Sequence, residues 1–136
     1  MPKFFLIIAA LTGALAVMLG AFAAHGLKPV LSADNLQVFE TAVRYQFYHV
    51  LALLATGILL HYYSNRFIKW AGRLFISGMV LFSGSLYLLC YIRHVQLPAT
   101  WVGAITPLGG VCFIAGWLLL AYGLSKNTTA PLHNAA

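Results

Sequence analysis

Four uncharged, apolar-rich stretches, Phe4–Ala24, Tyr45–Asn65, Leu74–Ile92 and Leu97–Ser125, alternate with short polar or basic joints along the chain. Each holds at least the roughly 18 residues needed to cross a hydrocarbon core about 30 Å thick. Apolar residues run all round each predicted helix, and one small soluble core cannot absorb four such helices. The pattern therefore predicts an all-α fold, an integral membrane bundle of four transmembrane helices at about 4–24, 42–63, 74–91 and 106–124. A polar tail, 125–136, follows without expected order.

The joints refine this picture. The longest, 25–41, opens with the turn-forming run His25-Gly26-Leu27-Lys28-Pro29 and offers Ser32 as a helix N-cap. Leu36, Phe39 and Val43 then recur at helical spacing, so this segment is expected to lie in the interface or lead straight into the second helix. Glu40 and Arg44 stand four apart with the acid first, the order that favours an outer-edge ion pair. Thr106-Pro107 reads as an N-cap with proline at the first helical position, leaving Ala99–Ile105, with Trp101, at the outer interface. Small residues form two stripes: Ala9, Gly13, Ala16, Gly20 and Ala24 on the first helix, and Gly109, Gly116 and Gly123 on the fourth. Such faces let backbones approach closely, within the bundle or at a homo-oligomer or partner interface.

Composition and charge agree with a membrane class. Of the 136 residues 62% are hydrophobic and 7% charged, where a soluble domain carries about 25% charged. The net charge of +6 resides in cations at the ends of the apolar stretches, not on one continuous basic face, which argues against nucleic acid as a partner. The lipid bilayer is the expected partner. Lys3, Arg66, Lys69, Arg73 and Lys126 fall on one side of a four-span path and Lys28, Arg44 and Arg93 on the other, five against three. The positive-inside rule then predicts a multi-pass protein of a bacterial inner membrane with both termini cytoplasmic. Ala21-Phe22-Ala23 has the small-x-small form of a signal cleavage site. The apolar run before it is longer than a typical signal core, so an uncleaved first helix is expected.

His49 is the first candidate for chemistry. It falls several residues inside the second apolar stretch, about 10 Å below the expected outer surface. Ionisable side chains at such depth face the bundle interior or a watery cavity and are functional suspects by default. Tyr45 precedes it by one turn and Gln46 lies alongside. Ser83, Ser85 and Tyr87 occupy the same half of the third helix, and Thr106 and His25 approach that level from the fourth and first. Together these residues suggest an outer-half polar cluster for a small ligand, lipid headgroup or proton. The same residues serve equally as hydrogen-bonding glue between helices.

Other chemistry finds less support. His25 and His49 are on different helices and in principle could share a haem iron, but His25 has a turn-like setting at the membrane exit. Ser83-Gly84-Ser85 with His49 resembles a hydrolase dyad without an oxyanion-hole loop. With Asp34 and Glu40 the only acids, paired-carboxylate catalysis and carboxylate metal clusters have no residues to use. Cys90 and Cys112 have neither metal-ligand spacing nor a disulfide framework. No enzyme activity, catalytic residue, metal or cofactor is expected.

Gly20-Ala-Phe-Ala-Ala-His-Gly-Leu27, Phe39-Glu-Thr-Ala-Val-Arg-Tyr-Gln-Phe-Tyr-His49, Leu81-Phe-Ser-Gly-Ser-Leu-Tyr87 and Ile105-Thr-Pro-Leu-Gly-Gly110, followed by Gly116-Trp-Leu-Leu-Leu120, form an ordered set. The set resembles domain of unknown function 423, a family of small inner-membrane proteins to which eukaryotic transmembrane protein 256 is similar. The resemblance covers about residues 4–124, with Ala23 standing where the family pattern usually has glycine. It implies a four-span membrane protein and carries over no activity, cofactor or catalytic residue.

Overall fold

A computed structural model describes residues 1–63, 65–98 and 100–126; the tail expected beyond Lys126 lies outside them. The described residues form four helices long and apolar enough to span a membrane. Helix α1 covers Pro2–Leu27, α2 Ala33–Tyr62 and α3 Arg66–His94. Helix α4, Ile105–Ser125, follows a single helical turn at Thr100–Gly103. Even the shortest, α4, rises about 32 Å, enough for the hydrocarbon core.

Two helices start well before the spans expected at 42 and 74, the first of them at the Ser32 cap that the sequence offers. Helix α2 begins at Ala33 because the Ser32 hydroxyl accepts a hydrogen bond from the Asn35 N–H (3.3 Å), and Asn35 and Phe39 are already buried. Helix α3 begins at Arg66, where Asn65 Oδ1 accepts from the Phe67 N–H (2.7 Å). Its first turns are amphipathic: Ile68, Ala71 and Gly72 are buried while Arg66 and Arg73 remain exposed. These charges, expected in a loop, therefore decorate the outer side of a helix. Asn65 also donates from Nδ2 to the Gly123 carbonyl (2.9 Å), tying the start of α3 to the end of α4.

Helix α3 closes with two reverse bonds, Leu97 N–H to Ile92 O (3.1 Å) and Gln96 N–H to Arg93 O (3.2 Å). Gln96 has φ 58°, the left-handed conformation this termination requires and glycine usually supplies. Helices α1 and α3 each contain a π-helical turn, Ala23–Leu27 and Met79–Ser83. A π-turn accommodates an extra residue and shifts the face presented after it.

Consecutive helices pack against one another, placing α2 and α3 centrally, with α1 against α2 and α4 against α3. Phe5, Leu53, Ile68 and Phe75 are fully enclosed, with Phe113 and Leu120 completing the main core. Both small-residue stripes are used within this chain. Val43 and Val50 of α2 lie against Gly20 and Gly13 of α1. On α4, a Cβ at Gly109 would collide with the Phe82 backbone, at Gly116 with the Phe75 ring, and at Gly123 with Ile68. Ala24, at the end of the first stripe, is exposed. Phe4, Ile7 and Leu11 of α1 and Val111, Ile114 and Leu118 of α4 point outward, as lipid-facing positions do.

A polar network at the centre of the bundle

Gln46 joins three helices. From α2, its Nε2 donates to the Thr12 carbonyl of α1 (2.9 Å), while its Oε1 accepts from the Tyr87 hydroxyl of α3 (2.9 Å). The amide orientation follows from these partners: a carbonyl requires a donor opposite it, and the phenol hydroxyl can provide one. Phe39 covers the Tyr87 ring, with centroids 4.9 Å apart.

His49, one turn further along α2, reaches the remaining helix. Its Nδ1 lies 2.8 Å from the Tyr45 carbonyl, and the Trp117 indole N–H of α4 points at its Nε2 from 3.4 Å. A carbonyl can only accept and an indole N–H can only donate. The neutral imidazole with its proton on Nδ1 satisfies both contacts. The ring is 6% exposed and stacks on Phe113, with centroids 3.4 Å apart and planes 8° from parallel. Phe75 closes the site at 5.8 Å. Because α2 begins at Ala33, His49 lies mid-helix, about 24 Å along it.

Ser85 and Thr106 make the third connection. Their hydroxyls are 2.7 Å apart between α3 and α4, and Ser85 also donates to the Phe82 carbonyl (2.9 Å). Thr106 therefore bridges helices and does not cap α4, which begins one residue earlier at Ile105 with no side-chain cap. Ser83 differs from its neighbours: it is 1% exposed in the π-turn, and its hydroxyl has no hydrogen-bond partner.

Of the sequence candidates, the structure joins Gln46 to Tyr87, His49 to the Tyr45 carbonyl, and Ser85 to Thr106. His25 stands apart, exposed in the π-turn of α1 with Nδ1 3.1 Å from the Ala21 carbonyl. Glu40 and Arg44 line one groove with Gly20, Ala23 and Val43, and among the described residues no ion pair joins them. Trp117 and the Thr12 carbonyl complete the network without having been predictable as partners. A tryptophan in an apolar run looks like any other lipid anchor, and a backbone acceptor has no sequence signature. Among the described residues no three His, Cys, Asp or Glu side chains come together as metal ligands.

Four apolar spans, lipid-facing outer surfaces and polar groups paired inside define an integral, multi-pass membrane protein. The family described as "Protein of unknown function (DUF423)" matches residues 19–110, and the chain belongs to it. It is 48% identical over 124 residues to a UPF0382 membrane protein of Staphylococcus saprophyticus, covering 91% of this chain and 98% of that one. It is 42% identical to UPF0382 membrane protein YwdK of Bacillus subtilis (91% and 98% covered). It is 39% identical to UPF0382 inner membrane protein YgdD of Escherichia coli (89% and 88% covered). No solved structure matches.

Proposed function

We propose that the chain is a non-enzymatic structural or assembly subunit of a bacterial inner membrane, with both termini cytoplasmic and the 28–32 and 95–98 connections outside. One observation carries the structural reading: both nitrogens of His49 and both ends of the Gln46 amide are already occupied by partners in the same chain. The His49 ring has both nitrogens engaged, and Gln46 is held at both ends with one N–H and one lone pair to spare. In hydrocarbon the same bonds hold helices that lack a hydrophobic drive to associate. Because the glycine faces of α1 and α4 are consumed internally, a second copy or another membrane protein would meet the outer faces of α1 or α4. The greater share of Lys and Arg on the terminal side supports the orientation.

The rival reading, a small ligand or proton held in this cluster, has the unpartnered Ser83 hydroxyl in its favour. A suppressor experiment separates the two. If His49 is only a helix lock, a stabilising substitution elsewhere restores the cellular phenotype of His49→Leu. If His49 binds a ligand, the phenotype persists although the folded protein returns to normal abundance.

A further inference from the structure

At the end of the bundle away from the termini, two cavities meet. The polar one, about 320 Å³, has Asp34 and Asn35 from α2 and Arg93, His94 and Gln96 from the end of α3 on its walls. The apolar one, about 220 Å³, runs between α1, α2 and α3 over Phe22, Phe39, Tyr87 and Tyr91. Leu31 and His94 border both. A space with one wet and one greasy compartment at the level of the helix ends has the shape of an amphiphile site.

The polar compartment contains an unmet demand. Asn35 is 5% exposed; its Nδ2 donates to the Cys90 carbonyl (2.9 Å) and its backbone carbonyl accepts from the Cys90 thiol (3.2 Å). Its Oδ1 has no partner. A buried amide oxygen calls for a donor, because leaving it dry and unpaired is costly. Asp34 and Arg93 share the cavity, yet among the described residues no ion pair joins them. The cavity thus offers the Asp34 carboxylate and, separately, a guanidinium, with the unpaired Oδ1 buried in the Asn35 side chain that lines it. A headgroup that matches them carries both N–H donors and an anion.

We propose that this end of the bundle binds a phospholipid with a primary-ammonium headgroup. The ammonium meets Asp34 and Asn35 Oδ1, the phosphodiester meets Arg93 beside His94, and one acyl chain occupies the apolar compartment. The inference goes beyond the structural reading of the central network: no residue of the polar compartment belongs to that network, and the apolar compartment shares with it only Tyr87 and the Phe39 that covers it.

The test is native mass spectrometry of the full chain released from detergent, titrated with phosphatidylethanolamine, phosphatidylcholine or phosphatidylglycerol of identical acyl chains. Phosphatidylethanolamine should be retained at roughly tenfold lower concentration than either of the others, the size expected for one charge-assisted bond gained. Asp34→Asn should abolish that preference and Arg93→Gln should weaken retention of all three lipids, which share the phosphodiester; both residues are exposed, and thermal unfolding of the protein should be unchanged. Asn35→Leu also removes the bond to Cys90, so the two exposed substitutions decide the matter. Equal retention of phosphatidylcholine or phosphatidylglycerol overturns the proposal, as does a preference that survives Asp34→Asn or retention of all three lipids unaffected by Arg93→Gln. Competition by free phosphoethanolamine as effective as that of the lipid overturns the role of the apolar compartment.

Discussion

The imidazole of His49 lies flat against the ring of Phe113, their centroids 3.4 Å apart, while the Trp117 indole N–H meets its outer nitrogen. This pair joins α2 to α4, two helices that are not neighbours in the chain. With Gln46 and the Ser85–Thr106 bond it places a polar tie between every helix and the rest of the bundle. Surface polar groups would be free to exchange with water; here Phe75 and Phe113 lie against His49 and Phe39 against Tyr87, so loss of these ties is felt as stability.

The Gln46–Tyr87 bond is testable by a double-mutant cycle. Interhelical hydrogen bonds in membranes average about 0.6 and reach about 1.7 kcal/mol. Tyr87→Phe should cost about 1 kcal/mol, and Gln46→Leu more, because it also releases the Thr12 carbonyl. The coupling between them, measured by unfolding in mixed micelles, should be positive. Additivity of the two costs would show that the bond contributes nothing.

Ser83 should behave in the opposite way. Its hydroxyl is buried without a partner in the π-turn, so Ser83→Ala removes a desolvated group at no cost in contacts. An unsatisfied buried hydroxyl costs about 1–3 kcal/mol. The alanine variant is expected to equal or exceed the parent in unfolding free energy. A clear loss would mean that a bound water or ligand pairs with Ser83, favouring the rival functional reading.

Two glycines make a matched comparison. A methyl at Gly109 would meet the Phe82 backbone, whereas nothing lies within 4 Å of a methyl at Gly103. Gly109→Ala must push α3 and α4 apart, and overpacking of this kind costs about 1–3 kcal/mol. Gly103→Ala should be neutral or stabilising by up to about 1 kcal/mol, from backbone entropy alone. Parallel thermal melts of the two variants check this; equal effects would contradict the close approach at Gly109.

Gln96 occupies a left-handed position at the end of α3. For an L side chain this conformation costs roughly 1–2 kcal/mol, which glycine avoids. Gln96→Gly should therefore raise the unfolding free energy by up to about 1 kcal/mol, as measured by denaturant titration in micelles. A loss would show that the Gln96 side chain makes a stabilising contact at the mouth of the polar cavity.

The spans were legible because lipid imposes a length and a polarity that few other folds share. Four uncharged stretches bounded by cations could only be four crossings. Helix starts were less so. Arg66, Lys69 and Arg73 read as a loop because charge normally marks one, yet Asn65 caps a helix there and the arginines remain on its outer side. Thr106-Pro107 carried a capping signature, but a hydroxyl at that place gains more from Ser85 across the helix contact. In the central network, depth and residue type pointed to Gln46, His49 and Tyr87. Their partners depended on helix rotation, set by the π-turns and the glycine contacts, and spacing along a chain does not encode that. His25 shares only their expected level; the π-turn at Ala23–Leu27 leaves it on the outside. Asn35 and the cavity beside it arise from two helix ends 55 residues apart and had no local signal.

The most direct test of the account is the ¹⁵N chemical shifts of the His49 ring, measured by solid-state NMR on selectively labelled protein in bilayers at neutral pH. A lock between the Tyr45 carbonyl and the Trp117 N–H predicts a single neutral tautomer, with Nδ1 protonated and Nε2 a bare acceptor, unchanged by added small molecules. An Nε2-protonated ring, an imidazolium, or a mixture that shifts when solutes are added would contradict it.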